Sequence, residues 1–410
     1  MSDFDVIIVG GGPAGASAAI HLAGRGARVL LAEQKRFPRE KLCGEFISPE
    51  CLEHFARLGV LGRMTLAGGA RVSQTVFYTP GGRSLAVPSE WFGGGARGAL
   101  GLSRAEMDAC LLARAREAGA RVVEDAPLAG VVVEGGRVAG VRLHAAGGGV
   151  REYRSRVSVD ATGRQRTLAR HAARELNSGR GGDARRVEGP RARAPLVAFK
   201  AHLEGARGEP GTCEIYFYRG GYGGLSPVEG GLSNLCFIAR ARDVREFGSD
   251  AERVMREVLM RNRRAAHTLA PARARTRWLG VSIESFGRRA PAPARGLLAV
   301  GDAAAFIDPF TGSGMLMALE SGELAARAVA RWLSESTHVR APFGALARDY
   351  SDAYDRRFRA RLRLCSALRR AAFAPPQLTE LAAVALGASE RLRRRLARAT
   401  RRSALAGLQR

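Results

Sequence analysis

The 410-residue sequence predicts an α/β fold in which a doubly wound parallel sheet carries an inserted mixed β-sheet and is followed by a helical C-terminal segment. Three observations favour this fold class: an apolar strand that runs directly into a glycine-rich turn, two later apolar strands that also end in glycine motifs, and a series of alternating strands in the middle of the chain. A chain of this length is long for one compact domain, so we expect two connected domains.

The first element is a strand that leads into a nucleotide-binding turn. Residues 6–9 are continuously apolar, as in a central parallel strand that is buried on both faces. Gly10-x-Gly12-x-x-Gly15 follows and begins an Ala-rich helix that reaches about residue 23. Gly10 permits the tight turn, Gly12 lets the backbone approach a pyrophosphate, and Gly15 lets the helix pack closely on the strand. The N-terminus of this helix supplies N–H donors to phosphate groups.

The second strand strengthens this interpretation. Residues 28–33 are mostly apolar and end at Glu33, where an acidic side chain that accepts ribose hydroxyls is expected. Strand, glycines, helix, strand and acid in this order predict a dinucleotide site.

Two further strands indicate which dinucleotide binds. Residues 157–163 end in Ala-Thr-Gly and residues 297–302 end in Gly-Asp, and in one doubly wound sheet these ends meet the first turn. Asp302 can then bond the ribityl chain of a flavin. The Thr-Gly-Ser-Gly run that begins at residue 311 starts a helix whose positive end faces the isoalloxazine, and Pro309 fixes the approach. For Asp308 we expect helix or turn capping.

These elements predict a Rossmann-like FAD-binding domain of the glutathione-reductase type, made of residues 1–74, 99–170 and 286–335. An inserted mixed β-sheet substrate domain comprises residues 75–98 and 190–285, and its strands are predicted at 195–203, 212–218 and 232–239. Residues 171–189 read as a mobile loop rich in Gly, Arg and Asp. Residues 336–410 form a helical, Arg-rich segment that Pro375-Pro376 interrupts.

Four stretches carry a resemblance to the flavoprotein superfamily of aromatic hydroxylases, flavin halogenases and geranylgeranyl reductases. They are residues 39–45 (REKLCGE), 102–112, 160–163 (DATG) and 301–314. The chain resembles most the geranylgeranyl-reductase branch. This resemblance implies that Arg104 contacts FAD, that Asp302 bonds its ribitol, and that Cys43 and Gly44 lie beside the flavin ring.

Motifs and resemblance together predict two sets of site residues. The expected cofactor contacts are Gly10, Gly12, Pro13, Ala14, Gly15, Glu33, Gln34, Arg39, Arg104, Leu128, Gly301, Asp302, Gly312, Gly314 and Met315. The expected catalytic residues are Cys43, Gly44, Tyr222 and Pro309. A plain buried thiol is the alternative for Cys43, and a solvated arginine is the alternative for Arg39. His54, His202 and His267 are candidate bases in principle, and no metal site is expected.

The chain departs from the family pattern over the flavin. Geranylgeranyl reductases carry a Tyr-x-Trp-x-Phe-Pro stretch there, whereas residues 221–227 read GYGGLSP, so that Gly224 and Ser226 replace the Trp and the Phe. The Trp-x-Trp-x-Ile-Pro stretch of flavin halogenases is missing as well. Gly in place of Trp is expected to enlarge the cavity for a bulkier substrate.

The sequence therefore favours an FAD-dependent monooxygenase that oxygenates a hydrophobic aromatic, polyketide- or prenyl-derived molecule with NAD(P)H and O2. The alternative is an ene-reductase of the geranylgeranyl reductase type, and a flavin halogenase is a weaker one. No second G-x-G-x-x-G follows a strand, so NAD(P)H either binds transiently over the flavin or reduces it through a partner flavin reductase.

The distribution of charge along the chain indicates which partners it could bind. The formal net charge of +26 comes from 65 basic residues, only three of them lysine, and is most concentrated in residues 356–402. This segment is expected to be either a solvated helix pair packed on the FAD domain or a peripheral contact with the inner face of an anionic membrane. It contains no recognised nucleic-acid-binding module, so no nucleic-acid partner is expected. Six cysteines without metal-ligand spacing and the lack of a signal-peptide pattern suggest a cytoplasmic protein.

Overall fold

The structure is a computed structural model that describes residues 2–93, 98–145, 147–178, 195–284, 286–335, 341–373 and 375–401. In chain order the strands are β1 (Phe4–Val9), β2 (Val29–Ala32), β3 (Phe46–Ile47), β4 (Ala70–Val72), β5 (Gln74–Tyr78), β6 (Ser84–Pro88), β7 (Ala99–Gly101), β8 (Arg121–Val123), β9 (Leu128–Glu134), β10 (Arg137–His144), β11 (Val150–Asp160), β12 (Leu196–Glu204), β13 (Thr212–Tyr218), β14 (Gly221–Pro227), β15 (Ser233–Arg240), β16 (Arg273–Ala274), β17 (Leu279–Ile283), β18 (Gly287–Arg288), β19 (Leu297–Ala299) and β20 (Ala305–Phe306).

The helices are α1 (Pro13–Ala23), α2 (Pro49–Leu58), α3 (Leu61–Leu66), α4 (Arg104–Glu117), α5 (Thr167–Ser178), α6 (Ala241–Glu246), α7 (Ala251–Glu257), α8 (Arg263–Leu269), α9 (Gly314–Glu335), α10 (Phe343–Ala372), α11 (Pro376–Gly387) and α12 (Glu390–Ala399). Short 3-10 turns connect several of them, including Gly301–Ala303 and Pro309–Thr311.

The first large sheet has the strand order β8-β2-β1-β11-β10-β9, and β19 pairs with β11. Strands β8, β2, β1, β11 and β19 are parallel to one another, whereas β10 pairs antiparallel with both β11 and β9. Residues Val6–Val9 of β1 are buried, as expected of a central parallel strand, and α1 packs against α9 and α4 on one face. The doubly wound sheet expected from the sequence is therefore confirmed.

The second large sheet is mixed and contains β5 and β6 together with β12–β17. Its order is β16-β12-β15-β14-β13-β5-β6, β17 also pairs with β12, and only the β5–β13 pairing is parallel. Alternate residues of β13 point to opposite faces: Tyr216 and Tyr218 pack in the core beneath α7 and α8, whereas Ile215 and Phe217 border a cavity. The three strands predicted from the sequence are confirmed, and β14 is a fourth strand between two of them.

One local prediction is wrong. Residues 171–178, expected as the start of a mobile loop, are the C-terminal part of helix α5, and the remainder, 179–189, lies outside the described residues. The helix forms because Leu168, Ala169 and Ala172 fall on one face and are buried, although the segment is otherwise polar.

The C-terminal segment is helical, as predicted. Helix α10 packs on α9 through Tyr350, Tyr354 and Phe358, ends before Pro375, and is followed by α11 and α12, which return to β6 and to the turn at Ser89–Phe92. Within the described part of the chain, no helix has the length and apolar character needed to span a bilayer.

Candidate active site

A cavity of about 1200 Å³ lies where the carboxyl ends of β1, β11 and β19 meet. The register brings these ends together, because Val9 pairs with Asp160 and Asp160 pairs with Ala299. The cavity extends from this sheet edge to β13–β15 of the mixed sheet and to the C-terminal helices. It is the place where a ligand binds in an open α/β sheet.

The glycine turn is shaped for the close approach of a ligand. Gly10 has φ +110°, and a Cβ atom on Gly10 or on Gly15 would overlap a backbone carbonyl oxygen, that of Ala161 or of Gly10 respectively. Gly12 is different, because the nearest protein atom to a Cβ atom there would be 3.7 Å away, the Nη2 atom of Arg104. The space beside Gly12 is thus left for a ligand, and Gly12 also caps α1. This cradle fits a pyrophosphate.

Glu33 lies at the end of β2 and is buried. Its Oε2 atom accepts a 2.8 Å hydrogen bond from the Gly11 amide, and its Oε1 atom accepts one of 3.1 Å from the Lys35 amide. The carboxylate is therefore fixed beside the glycine turn and borders the cavity together with Gln34, where a ribose is expected.

Two arginines share one buried carboxylate at the mouth of the cavity. Asp108 of α4 accepts hydrogen bonds from Arg104 at 2.6 and 2.9 Å and from Arg39 at 2.9 Å. Arg39 is only 10% exposed, which rules out the solvated-arginine alternative. Burial lowers the pKa of Arg104, but Asp108 and the Cys43 sulfur raise this pKa by more than burial lowers it, so the guanidinium stays charged. Arg39 also lies 3.7 Å from Glu33, so two carboxylates fix the two guanidinium groups, whose N–H groups are charged donors suited to phosphate.

Asp302 follows β19 in the turn Gly301–Ala303 and borders the cavity. Burial raises the pKa of its carboxyl to about 6, although Arg104 and Lys41 oppose the shift. The polar atoms of a carboxyl at this place need hydrogen-bond donors, and the hydroxyls of a ribityl chain supply them.

The Thr-Gly-Ser-Gly run forms the junction to α9, as predicted. Gly312 has φ +60°, and Gly312, Gly314 and Met315 border the cavity, while Pro309 begins the preceding 3-10 turn. An unexpected residue holds this run in place: buried Arg401 donates 3.0 Å hydrogen bonds to the carbonyl oxygens of Thr311 and Gly312.

Cys43 and Gly44 border the same cavity. Cys43 is half-buried, and its carbonyl oxygen accepts a 3.0 Å hydrogen bond from Asn234 of β15. Cys43 is therefore not a plain core thiol. This segment contacts the mixed sheet at the edge of the cavity.

A buried polar cluster behind this segment was not predicted. Glu45, which has φ +54°, accepts hydrogen bonds from Lys200 at 2.7 Å and from the Arg104 amide at 2.8 Å, and its other oxygen lies 2.6 Å from His202 Nε2. Lys200 also bonds Glu40. Among the described residues, one group has a geometry that could hold a metal ion: Glu40, Glu45 and His202. The Lys200 ammonium already binds the carboxylates of Glu40 and Glu45, so it occupies the place of a cation. A signal for this cluster was available, since Lys200 is a lysine in the middle of an apolar strand.

The three histidines considered as bases are not brought to the cavity. His202 belongs to the cluster around Glu45, and His54 lies 3.4 Å from Glu323 on the far side of α9. Neither of them, nor His267, lines the cavity.

Tyr222 and Asp308 form a buried pair at the cavity wall. The Tyr222 hydroxyl donates to Asp308 Oδ1, which also accepts a 3.0 Å hydrogen bond from the Phe310 amide, so Asp308 does cap a turn. Burial raises the pKa of both groups, that of Tyr222 well above its usual value. The hydroxyl proton of Tyr222 is therefore held in apolar surroundings, with Asp308 as its hydrogen-bond acceptor.

The cavity thus has two distinct ends. We call the part bounded by the glycine turn, Glu33, Arg39, Arg104 and Asp302 the cofactor end. The apolar end is lined by side chains of the mixed sheet and of the C-terminal helices, among them Phe77, Leu85, Ile215, Phe217, Ile238, Leu378, Leu386 and Leu396. Leu128 borders the cavity as well.

Comparison with known proteins agrees with this geometry. Residues 3–340 match the family model described as FAD binding domain. Digeranylgeranylglycerophospholipid reductase 2 of Methanopyrus kandleri is 28% identical over 343 residues, which are 81% of this chain and 78% of the relative. The menaquinone reductase of Mycolicibacterium smegmatis is 25% identical over 337 residues, or 78% of this chain and 75% of the relative.

Solved structures share the fold. A flavin-dependent brominase superposes with a TM-score of 0.77 at 20% identity, covering 97% of this chain and 93% of its own. A geranylgeranyl bacteriochlorophyll reductase-like protein from Thermoplasma acidophilum superposes with a TM-score of 0.72 at 24% identity, covering 92% and 90%. The chain belongs to the FAD binding domain family and is an FAD-dependent oxidoreductase.

Proposed function

We propose that this oxidoreductase reduces carbon–carbon double bonds in a long apolar chain of the isoprenoid type, carried by a lipid or a quinone. The single observation that carries the proposal is the continuous cavity, whose cofactor end adjoins an apolar end lined by aliphatic and aromatic side chains. The two relatives described above are named reductases of a digeranylgeranyl lipid and of menaquinone, which supports this choice over the monooxygenase that the sequence alone favours.

The chain's own residues then have defined roles. Bound FAD supplies hydride chemistry. The glycine turn, Glu33 and Asp302 hold the cofactor, and the walls of the apolar end exclude water and align the chain. Tyr222 borders the cavity and carries a hydroxyl proton, which an alkene that accepts a hydride also needs, and Asp308 accepts the hydrogen bond of that hydroxyl and orients it from behind the wall.

A monooxygenase acting on a hydrophobic aromatic, polyketide- or prenyl-derived molecule is the second candidate. The observation that favours it is the open wall at Gly224, which borders the cavity where related reductases carry Trp. A side chain at residue 224 would press on Ile215, because a Cβ atom there would lie 3.1 Å from Ile215 Cδ1. Ile215, and not a side chain of residue 224, therefore forms the wall here, and a Trp side chain at residue 224 would narrow the space for a ring.

Turnover with and without oxygen separates the two reactions. The FAD-loaded enzyme is reduced with dithionite and mixed anaerobically with a polyprenyl substrate, and the product is analysed by mass spectrometry. An ene-reductase adds two hydrogen atoms without O2, whereas a monooxygenase gives product only after O2 is admitted and adds one oxygen atom. Product that forms only with O2 would overturn our first choice.

We also propose NAD(P)H as the ultimate electron donor, used directly or through a partner flavin reductase. Since the sequence has a single G-x-G-x-x-G turn directly after a strand and no separate nicotinamide domain, NAD(P)H would have to bind transiently over the flavin or act through such a partner. Bleaching of the flavin absorbance by NADH or NADPH alone would identify the direct route, and bleaching only after addition of a flavin reductase would identify the partner route.

A further inference from the structure

The outer surface of helix α11 is unusually apolar. Six large hydrophobic side chains are exposed in the described part of the chain. Four of them lie on α11 and α12, namely Leu378, Leu381, Val384 and Leu392. Leu381 is 65% exposed and Val384 is 51% exposed. Exposed apolar side chains that cluster in this way mark a contact surface more often than scattered ones do.

Helix α11 is apolar on two faces. Thr379, Ala382, Ala383 and Leu386 follow helical spacing and line the cavity, whereas Leu381 and Val384 do not line it. We call Leu381 and Val384 the outward stripe. The cavity does not explain why these two side chains are apolar, and only the width of helix α11 separates them from the apolar end.

The helix pair is held firmly by its inner side. Glu380 accepts a 2.8 Å hydrogen bond from the Gly81 amide of the β5–β6 turn. Arg393 of α12 donates to the Ala86 carbonyl oxygen at 3.4 Å and lies over the Trp91 ring. The outward stripe is thus presented by anchored helices.

The charge beside the stripe favours an anionic partner. Helix α12 carries five arginines and one acidic residue, Glu390, and its Arg391, Arg394 and Arg395 are exposed. Leucines flanked by arginines are suited to the interface of a bilayer, where apolar side chains enter the acyl region and arginines meet anionic headgroups.

We propose that the outer face of α11 and α12 docks on the surface of an anionic bilayer, which places the apolar end of the cavity next to the membrane. This rests on the proposed function only in taking the substrate to be a membrane-borne chain. An apolar chain could then pass from the bilayer into the cavity without crossing water, where its exposure would be costly.

Co-sedimentation of the FAD-loaded, full-length protein with vesicles tests the proposal. The vesicles are made of phosphatidylcholine with or without phosphatidylglycerol, and no substrate is added. We expect binding to the anionic vesicles that falls with added salt, since each arginine near the surface contributes roughly fivefold to the partition. Equal binding to both vesicle types, or binding to neither, would overturn the proposal.

Variants locate the surface. L381E/V384E should lower anionic-vesicle binding about tenfold or more, and R391E/R394E/R395E should abolish it, whereas L66E should change nothing because Leu66 lies on α3, is 89% exposed and serves as the matched control. Equal loss in all three variants, or no loss in any, would contradict the assignment. Concentration-dependent dimers that L381E/V384E abolishes would instead show that a second copy of the chain covers the face.

A second readout separates this proposal from the proposed function. Because Leu381 and Val384 do not line the cavity, L381E/V384E should turn over a detergent-solubilised substrate at the wild-type rate and slow only with vesicle-borne substrate. If no reduction occurs in either medium, the proposed function is wrong. The docking proposal is still decided by the vesicle co-sedimentation, which needs no substrate.

Discussion

At the cofactor end of the cavity, the walls are backbone and charge: the glycine turn, Glu33, Arg39 and Arg104 lie within the first 108 residues, and Asp302 joins them from the turn after β19. At the apolar end, the walls are side chains from strands near residues 77, 215 and 238 and from helices after residue 375. The cofactor end is thus specified by short motifs, whereas the apolar end is assembled from distant segments. We expect substitutions at the two ends to separate cofactor binding from substrate binding.

The largest effect is expected where the cofactor end has no spare volume. In Gly15→Ala, the new methyl group overlaps the Gly10 carbonyl oxygen, so the turn and α1 must separate. Overpacking of this kind costs about 3 kcal/mol of folding free energy, and the FAD content should fall to near zero. Thermal unfolding and flavin absorbance measure both. Gly62→Ala in α3, where no atom lies within 4 Å of the added Cβ, is the control and should be neutral or slightly stabilising.

Asp302→Asn should affect the cofactor end without disturbing the apolar end. Replacing the carboxylate weakens hydrogen bonds worth roughly 1.5–3 kcal/mol, so FAD should bind about ten- to a hundred-fold more weakly in a fluorescence titration. Asp352→Asn, an exposed carboxylate on α10, should leave FAD affinity unchanged. An unchanged dissociation constant in Asp302→Asn would mean that this carboxyl does not bond the cofactor.

The same variant has a pH signature in the apo-protein. Burial raises the folded pKa of Asp302 to about 6, above its unfolded value, so folding favours the protonated form. The stability that this form contributes is present at low pH and is lost as pH rises through about 6. The apo-protein melting temperature of Asp302→Asn should therefore rise relative to wild type between pH 4 and pH 7, and a constant difference would contradict the burial of the charge.

An intermediate effect is expected where the C-terminal tail reaches the cofactor end. Arg401→Gln removes the guanidinium that bonds the carbonyls of Thr311 and Gly312, so the turn before α9 should loosen and FAD affinity should fall roughly tenfold. Arg394→Gln, an exposed arginine of α12, is the matched control. If both variants bind FAD like the wild type, the tail does not support the cofactor end.

The smallest effect on the cofactor should come from the apolar end. Gly224→Trp places the aromatic ring that the resemblance implies for geranylgeranyl reductases against Ile215 and narrows the apolar end, so KM for a bulky or long substrate should rise several-fold while FAD affinity stays unchanged. Gly224→Ala adds a smaller side chain and should raise KM by less than Gly224→Trp does. A change in FAD affinity that matched the change in KM would show that the two ends are not separable.

Much of this organisation was predictable from the sequence, but unevenly. The doubly wound sheet, the strands near residues 196, 212 and 233 and the meeting of three strand ends follow from local patterns. The cluster of Glu45, Lys200 and His202 does not follow as a whole: Lys200 stands out as a lysine in an apolar strand, but Glu45 is 155 residues from Lys200 and 157 from His202, so only the folded chain shows that they are partners. Nor does the role of Arg401, since a single buried arginine cannot be distinguished in an arginine-rich tail.

The central claim is that one cavity holds FAD and an apolar chain side by side, and a spectral titration tests it most directly. Oxidised, FAD-loaded protein is titrated with geranylgeraniol, and the absorbance of the bound flavin is recorded. An apolar chain that displaces water beside the flavin should give a saturable difference spectrum, with a higher dissociation constant in Gly224→Trp than in wild type. A flavin spectrum that does not change while the chain is shown to bind, for example by calorimetry, would contradict the account.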